Sequence, residues 1–185
     1  MGDWYQVIVD REVSETAAAS SAASVREWLI EEGIIDKIIE DCVLGSDTGH
    51  PPGPNFMRAV DGEDDSYFLG LRTNGLEIIT ERTLYSSFDG NIELVCDGCS
   101  ERFDPPEEYF KAVGKWLNRE TPGLLACACP GCGTTRAITE WQHDPPVLYA
   151  YLGLRFWNWP LLKDSFVVDV SNRLTHSVAL VAGKL

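Results

Sequence analysis

The sequence predicts an α+β fold: a sheet with helices on one face, with the ferredoxin-like arrangement as the nearest candidate, carrying an inserted four-cysteine zinc ribbon. Three observations carry this. Cys96-x-x-Cys99 and Cys129-x-x-Cys132 place two thiol pairs in one chain, the pattern of a tetrahedral thiolate site. On both sides of them, segments of strand composition alternate with segments whose apolar residues recur at helical spacing. The chain's 185 residues, 44% hydrophobic, suffice for one core and a small added module. Residues 1–92 and 144–185 are expected to form one α+β domain together, with 93–143 as the inserted module.

The elements follow in chain order. Trp4 to Val9 is rich in strand formers and reads as the first strand. Ser14 is a helix N-cap candidate, and Val25, Trp28, Leu29 and Glu32 continue the helix to Gly33, which ends or kinks it. Ile34, Ile35, Ile38, Ile39 and Cys42 suggest a second short helical piece, with Cys42 as a core residue. Residues 45–54 (GSDTGHPPGP) form a loop by composition. Tyr67–Leu71 and Leu76–Thr80 flank Thr73-Asn74-Gly75, and Asn-Gly predicts a β-hairpin there because it tolerates positive φ.

Ile92–Val95 leads a strand into the first cysteine pair, and Leu124–Ala126 leads one into the second. The 29 residues between the pairs contain a helix over Pro105–Glu120, with Tyr109, Phe110, Val113, Trp116 and Leu117 at helical intervals. The long connection is tolerable, since each doubling costs only about 0.6 kcal/mol in closure entropy. Val147–Trp157 reads as one strand, the segment after Pro160 as a helix striped by Leu162, Phe166, Val170 and Leu174, and Ser177–Ala182 as the last strand. A helix joining two strands of one sheet implies a parallel crossover.

The metal reading assigns Cys96, Cys99, Cys129 and Cys132 as ligands of a structural Zn2+. Four thiolates close the coordination shell and leave no position for reacting water. Zinc contributes about 10–16 kcal/mol in small domains, so losing a ligand should unfold the module. Cys127, two residues before Cys129, is an alternate ligand, and His143 a minor one. The Pro-Gly turn of Cys129-Pro130-Gly131-Cys132 favours the 129/132 pair. Arg102 and Arg136 follow the two pairs closely, as surface arginines or as partial charge compensation.

Net charge is −14, from 29 acidic and 15 basic residues. Residues 1–92 hold 18 acids and 6 bases, residues 93–143 hold 8 and 5, and residues 144–185 hold 3 and 4. Phosphate backbones repel such a chain, so nucleic acid is a disfavoured partner and a basic protein a favoured one. No stretch reaches the ~18 apolar residues of a membrane span, and no signal peptide is visible, which points to the cytoplasm and away from membranes.

Nothing names a reaction. Asp61-Gly62-Glu63-Asp64-Asp65 lacks the glycine and glutamate of an EF-hand at Ser66 and Arg72. There is no P-loop lysine, nucleophile elbow or His-Glu-x-x-His. Asp47, His50, Arg72 and Glu77 are the residues an unrecognised enzyme site would draw on. The acidic run at Asp61, Glu63, Asp64 and Asp65, and Trp157 and Trp159 in an aromatic strand, are candidate partner-binding residues. In a single strand, Tyr149, Tyr151, Arg155, Trp157 and Trp159 would share a face that either packs under the zinc module or stays open to a partner.

Asp41-Cys42-Val43-Leu44-Gly45, Leu71 to Ile78, the two cysteine knuckles, Phe156-Trp157-Asn158-Trp159-Pro160 and Gly183-Lys184-Leu185 together carry a resemblance. On these residues the chain resembles a group of small bacterial zinc-ribbon proteins whose function is not characterised. Some of that group carry an automatic label as sugar-transporter ATPases. The label implies a nucleotide site, and this sequence lacks the lysine for one. The expectation is a non-catalytic zinc protein acting through protein–protein contact, with an immunity or antitoxin-like inhibitor of a basic toxin as the sharper form. The alternatives are a zinc-ribbon nucleic-acid regulator and an enzyme.

Overall fold

The computed structural model describes residues 2–46, 48–62, 66–87, 91–120 and 125–185. In chain order the elements are β1 (Trp4–Asp10), α1 (Ala18–Glu31), β2 (Leu76–Ile79), β3 (Thr83–Ser86), β4 (Glu93–Val95), β5 (Arg102–Phe103) and α2 (Glu107–Leu117). They continue as β6 (Ala126–Ala128), β7 (Thr135–Ala137), β8 (Gln142–Asp144), β9 (Val147–Ala150), β10 (Leu152–Trp157), α3 (Asp164–Leu174) and β11 (Val178–Lys184). The class is mixed helix and sheet, as the sequence predicts.

A four-stranded sheet forms the frame, in the order β11-β1-β10-β2, with every neighbouring pair antiparallel. β10 and β11 therefore run parallel to each other with β1 between them, joined through α3. One face of the sheet presents Ile8, Leu154, Phe156 and Leu76 to α1 and α3, which bury Val25, Leu29, Phe166 and Val170 against it. Two buried polar residues share that face, Asp10, which holds His176, and Gln6. The Gln6 amide donates to the Pro160 carbonyl at 2.9 Å and its oxygen accepts from the Leu162 N–H at 2.9 Å, so its burial leaves no hydrogen bond unmade.

The opposite face presents Tyr5, Val7, Val9 and Trp157. It is covered by Tyr85 of β3, Ala150 of β9 and the Cys42-Val43 segment. A second apolar cluster lies in the module: Leu94, Tyr109, Ala112, Trp116, Ile138 and Trp141, joined by Val147 and Tyr149 from β9. Arg82 links the two parts. It pairs with Glu15 at 2.8 Å, donates to the Trp116 carbonyl at 3.0 Å and lies over the Trp116 and Tyr151 rings.

Four local expectations are corrected. The Asn74-Gly75 hairpin does not form: Ser66–Gly70 is a 3-10 turn, and β2 pairs with β10 instead. The Asn74 and Gly75 N–H groups both donate to the Cys42 carbonyl, at 2.9 and 2.7 Å, and the Asn74 amide donates to the Phe68 carbonyl at 3.2 Å. The pair thus serves tertiary contacts. A Cβ on Gly75 would lie 2.2 Å from Cys42 Sγ, so close approach requires the glycine, and not a positive φ.

Ile34–Cys42 forms no helix. The Asp36 and Glu40 N–H groups donate to Pro51 and Gly49 carbonyls, tying the segment in extended form to the Gly/Pro loop. Cys42 is buried as expected, but in the cluster under the frame. α1 does end at Gly33, whose φ is +69°.

The strand over 147–157 breaks at Tyr151, and the chain passes from the β3–β9 pair into the frame. The break reverses the alternation. Ala150 packs with Trp157, while Leu152, Leu154 and Phe156 face the helices. Of the aromatic run, only Tyr149 and Tyr151 meet the module, both against Trp116.

Trp157 and Trp159, read as partner-binding residues, are 2% and 0% exposed. The Trp157 indole donates to Glu77 at 3.0 Å and stands edge-on to Tyr5. The Trp159 indole donates to the Asn74 carbonyl within a ring cluster of Phe56, Phe68 and Phe156. Asn158 between them adopts φ 54° and binds Trp4, Asp3 and Thr73. The Phe156–Pro160 motif is therefore a structural corner. Asp61 is exposed beside Leu161, and Glu63, Asp64 and Asp65 lie outside the described residues.

Candidate metal centre

The two cysteine pairs form a pair of equivalent knuckles. In the first, the Cys96 N–H donates to the Glu101 carbonyl at 2.9 Å and the Ser100 N–H to the Cys96 carbonyl at 2.7 Å. In the second, the Cys129 N–H donates to the Thr134 carbonyl and the Gly133 N–H to the Cys129 carbonyl, both at 2.9 Å. The residue after each second cysteine has a left-handed backbone, φ 63° at Ser100 and 75° at Gly133. Pro-Gly marks the second knuckle in the sequence. The first makes the same turn with a serine at the position where glycine costs least.

β4, β5 and β8 carry the first knuckle, and the β6–β7 pair carries the second. Together they bring Cys96, Cys99, Cys129 and Cys132 to where their sulfurs all lie within 4.8 Å of one another, so the cluster could hold a metal ion. Cys96 Sγ is 3.7 Å from Cys132 Sγ, and Cys99 Sγ is 3.7 Å from Cys129 Sγ. A disulfide needs about 2.05 Å, so none of these is one. An ion bonded to four thiolates at about 2.3 Å holds them about 3.8 Å apart in a tetrahedron, which these distances fit.

Cys96 and Cys129 are buried, while Cys99 and Cys132 are exposed. Thr134 bonds the Cys132 sulfur through its hydroxyl, 3.2 Å away, and through its backbone, and pulls that thiol down to about 6. At Cys99 the Glu101 backbone N–H acts in the same direction. The three neighbouring sulfurs, with some local loss of water around an otherwise exposed thiol, outweigh it and push the thiol up to about 12. Four crowded thiols cannot all ionise without a cation between them.

Cys127 is not in the cluster. It is buried in the module core, and burial raises its thiol. His143 is not in it either. Its Nε2 meets the Tyr109 hydroxyl at 2.6 Å, which also meets the Tyr149 hydroxyl at 2.6 Å. Burial pushes His143 down to about 4, so the imidazole is neutral, and burial raises Tyr109 to about 12. Sequence reasoning missed this chain, because residues 109, 143 and 149 meet only once α2, β8 and β9 pack.

Arg136 of β7 pairs with Asp97 of the first knuckle and staples the two halves together. Arg102 pairs with Glu93 and Asp144. Both guanidiniums are thus committed to carboxylates. The residues considered for an enzyme site do not converge. His50 is buried with Nδ1 on the Asp36 carbonyl, Arg72 is exposed on Asp41, and Glu77 holds Arg155 and Trp157. Asp47 lies outside the described residues.

The helix between the knuckles buries Tyr109 and Trp116 of the expected set, together with Ala112. Phe110 and Leu117 are left 54% and 40% exposed. With Val113 they form one wall of a groove of about 810 Å3, opposite Leu84, Ile92 and Val147. No protein-family model, curated protein or solved structure matches the chain. No helix among the described residues is long and apolar enough to cross a membrane.

Proposed function

We propose that the chain is a zinc-scaffolded, non-catalytic protein that binds a basic protein partner through the α2 groove. The observation that carries this is an apolar helix face where Phe110 and Leu117 stay exposed among the described residues beside half-buried Val113, on a module that brings four sulfurs together. Tetrahedral all-sulfur sites suit Zn2+ or iron, and an isolated site needing no redox change favours Zn2+. Such an ion would supply folding energy and no open position for chemistry. The frame's order β11-β1-β10-β2 and its β-α-β, β-α-β sequence support a ferredoxin-like assignment.

The partner's chemistry follows from charge. Asp104, at the groove, and Glu108 beside it are exposed and unpaired among the described residues, in a chain of net charge −14. An apolar segment flanked by lysine or arginine fits, and an immunity or antitoxin-like inhibitor of a basic toxin is the form this reading takes. The nucleic-acid alternative is weaker. Of the five bases in residues 93–143, Arg102, Lys111, Arg119 and Arg136 already pair with carboxylates, leaving Lys115.

The test is capture from the native host with wild type, Phe110→Asp and Leu117→Asp, at low and high salt. A stoichiometric basic protein, retained by wild type, lost by both variants and weakened by salt, supports the proposal. No such protein, or one indifferent to both substitutions, removes it.

A further inference from the structure

The two edges of the frame sheet differ. β2 is covered: His50 and Leu76 exchange both backbone hydrogen bonds, at 3.0 and 2.8 Å. β11 is not. Beyond its ladder with β1, no hydrogen bond involves Val178–Lys184 among the described residues. Seven residues, Val-Ala-Leu-Val-Ala-Gly-Lys, carry no proline, and their only charge is at the end. Leu180 is 41% exposed on this strand. Natural sheets guard an edge with short strands, prolines, bulges or inward charges, because free N–H and C=O groups template pairing. This edge has none of these guards before Lys184.

We propose that β11 is a homodimer edge, pairing antiparallel with β11 of a second copy about a two-fold axis at Leu180 to give a continuous eight-stranded sheet. The strand is close to self-complementary in that register. Leu180 meets its own copy, Ala179 meets Val181, and Val178 meets Ala182, all uncharged. Lys184 then lies opposite His176, beside Glu12, whose carboxylate accepts the Ser177 N–H at 3.0 Å. A one-residue shift to Val181 would instead set Lys184 against Val178.

Charge permits the approach here and discourages it elsewhere. Residues 144–185 hold 4 bases and 3 acids, against 6 and 18 in residues 1–92. A second copy, with its own near-neutral edge, therefore fits better than the strongly basic partner argued for the groove. The two surfaces are separate, so either proposal can fail alone.

The test is sedimentation equilibrium on the full zinc-loaded chain over a wide concentration range. Wild type is expected to dimerise. Leu180→Lys sets like charges directly opposite and should weaken the dimer by about tenfold or more, with metal content and circular dichroism unchanged. Lys184→Glu should weaken it several-fold, and Glu12→Lys in the same chain should restore it. A wild type that stays monomeric throughout overturns the proposal. So does a dimer indifferent to both Leu180→Lys and Lys184→Glu.

Discussion

Ser100 holds a left-handed backbone that its knuckle partner, Gly133, adopts at little cost. Ser100→Gly should therefore stabilise the metal-loaded protein by up to about 1 kcal/mol, and Gly133→Ala should destabilise it by about the same. Urea midpoints on zinc-saturated protein read both. The histidines act in opposite senses. His143 is pushed down to about 4 by burial, so between there and its ordinary 6.5 the unfolded chain binds the proton and the native state does not. Stability should fall as pH drops through that window. His176 is raised, chiefly by its hydrogen bond to Asp10, so its contribution is complete below 6.5 and is lost as pH rises through its native value. Melting midpoints against pH for His143→Gln should show a flatter acid limb than wild type, and His176→Gln a flatter alkaline one. Thiolate protonation is common to all three proteins, so the differences isolate the imidazoles.

At the scale of the element, α2 is the instructive case. Its sequence sets Tyr109, Phe110, Val113, Trp116 and Leu117 at helical intervals, and spacing alone does not say which of them face the core. The module core takes Tyr109 and Trp116, with Ala112 between them, because Tyr149, His143 and Trp141 stand on that side. Trp116→Ala should cost about 3–5 kcal/mol, while Phe110→Ser should stay within about 0.5 kcal/mol. Denaturant midpoints distinguish them, and equal costs would mean the helix is turned the other way. The strand over 147–157 teaches the same lesson. Alternation was readable on each side of Tyr151, but nothing local marks Tyr151 as the residue where the chain changes sheets and the inward face switches.

Across the whole molecule, two apolar bodies share the β3–β9 pair, and Arg82 bridges them through Glu15 and Trp116. Only one of them carries the four-cysteine cluster. Cys132→Ser should abolish metal binding and forfeit most of the roughly 10–16 kcal/mol that zinc supplies. Amide exchange should then show β4 to β8 unprotected, with β1 and β10 of the frame still protected. Elemental analysis of wild type should return one zinc per chain. Loss of protection throughout would show that frame and module fold as one unit.

Spacing by itself determined the four cysteines that cluster, because two tight turns bring them together, and tight turns are local. It also determined the helix–sheet class and the C-terminal end of α1, where an apolar stripe stops at a glycine; the helix itself starts at Ala18, four residues after the Ser14 cap the sequence suggests. Packing alone decided the rest. Asn74-Gly75 and Phe156-Trp157-Asn158-Trp159-Pro160 carry local signals for a hairpin and an exposed aromatic surface. Their hydrogen-bonding groups found stronger partners in Cys42, Thr73 and one another across more than thirty residues of chain. Free energy is minimised over the whole molecule, so a turn signal or an aromatic run gives way wherever a buried polar group elsewhere needs it.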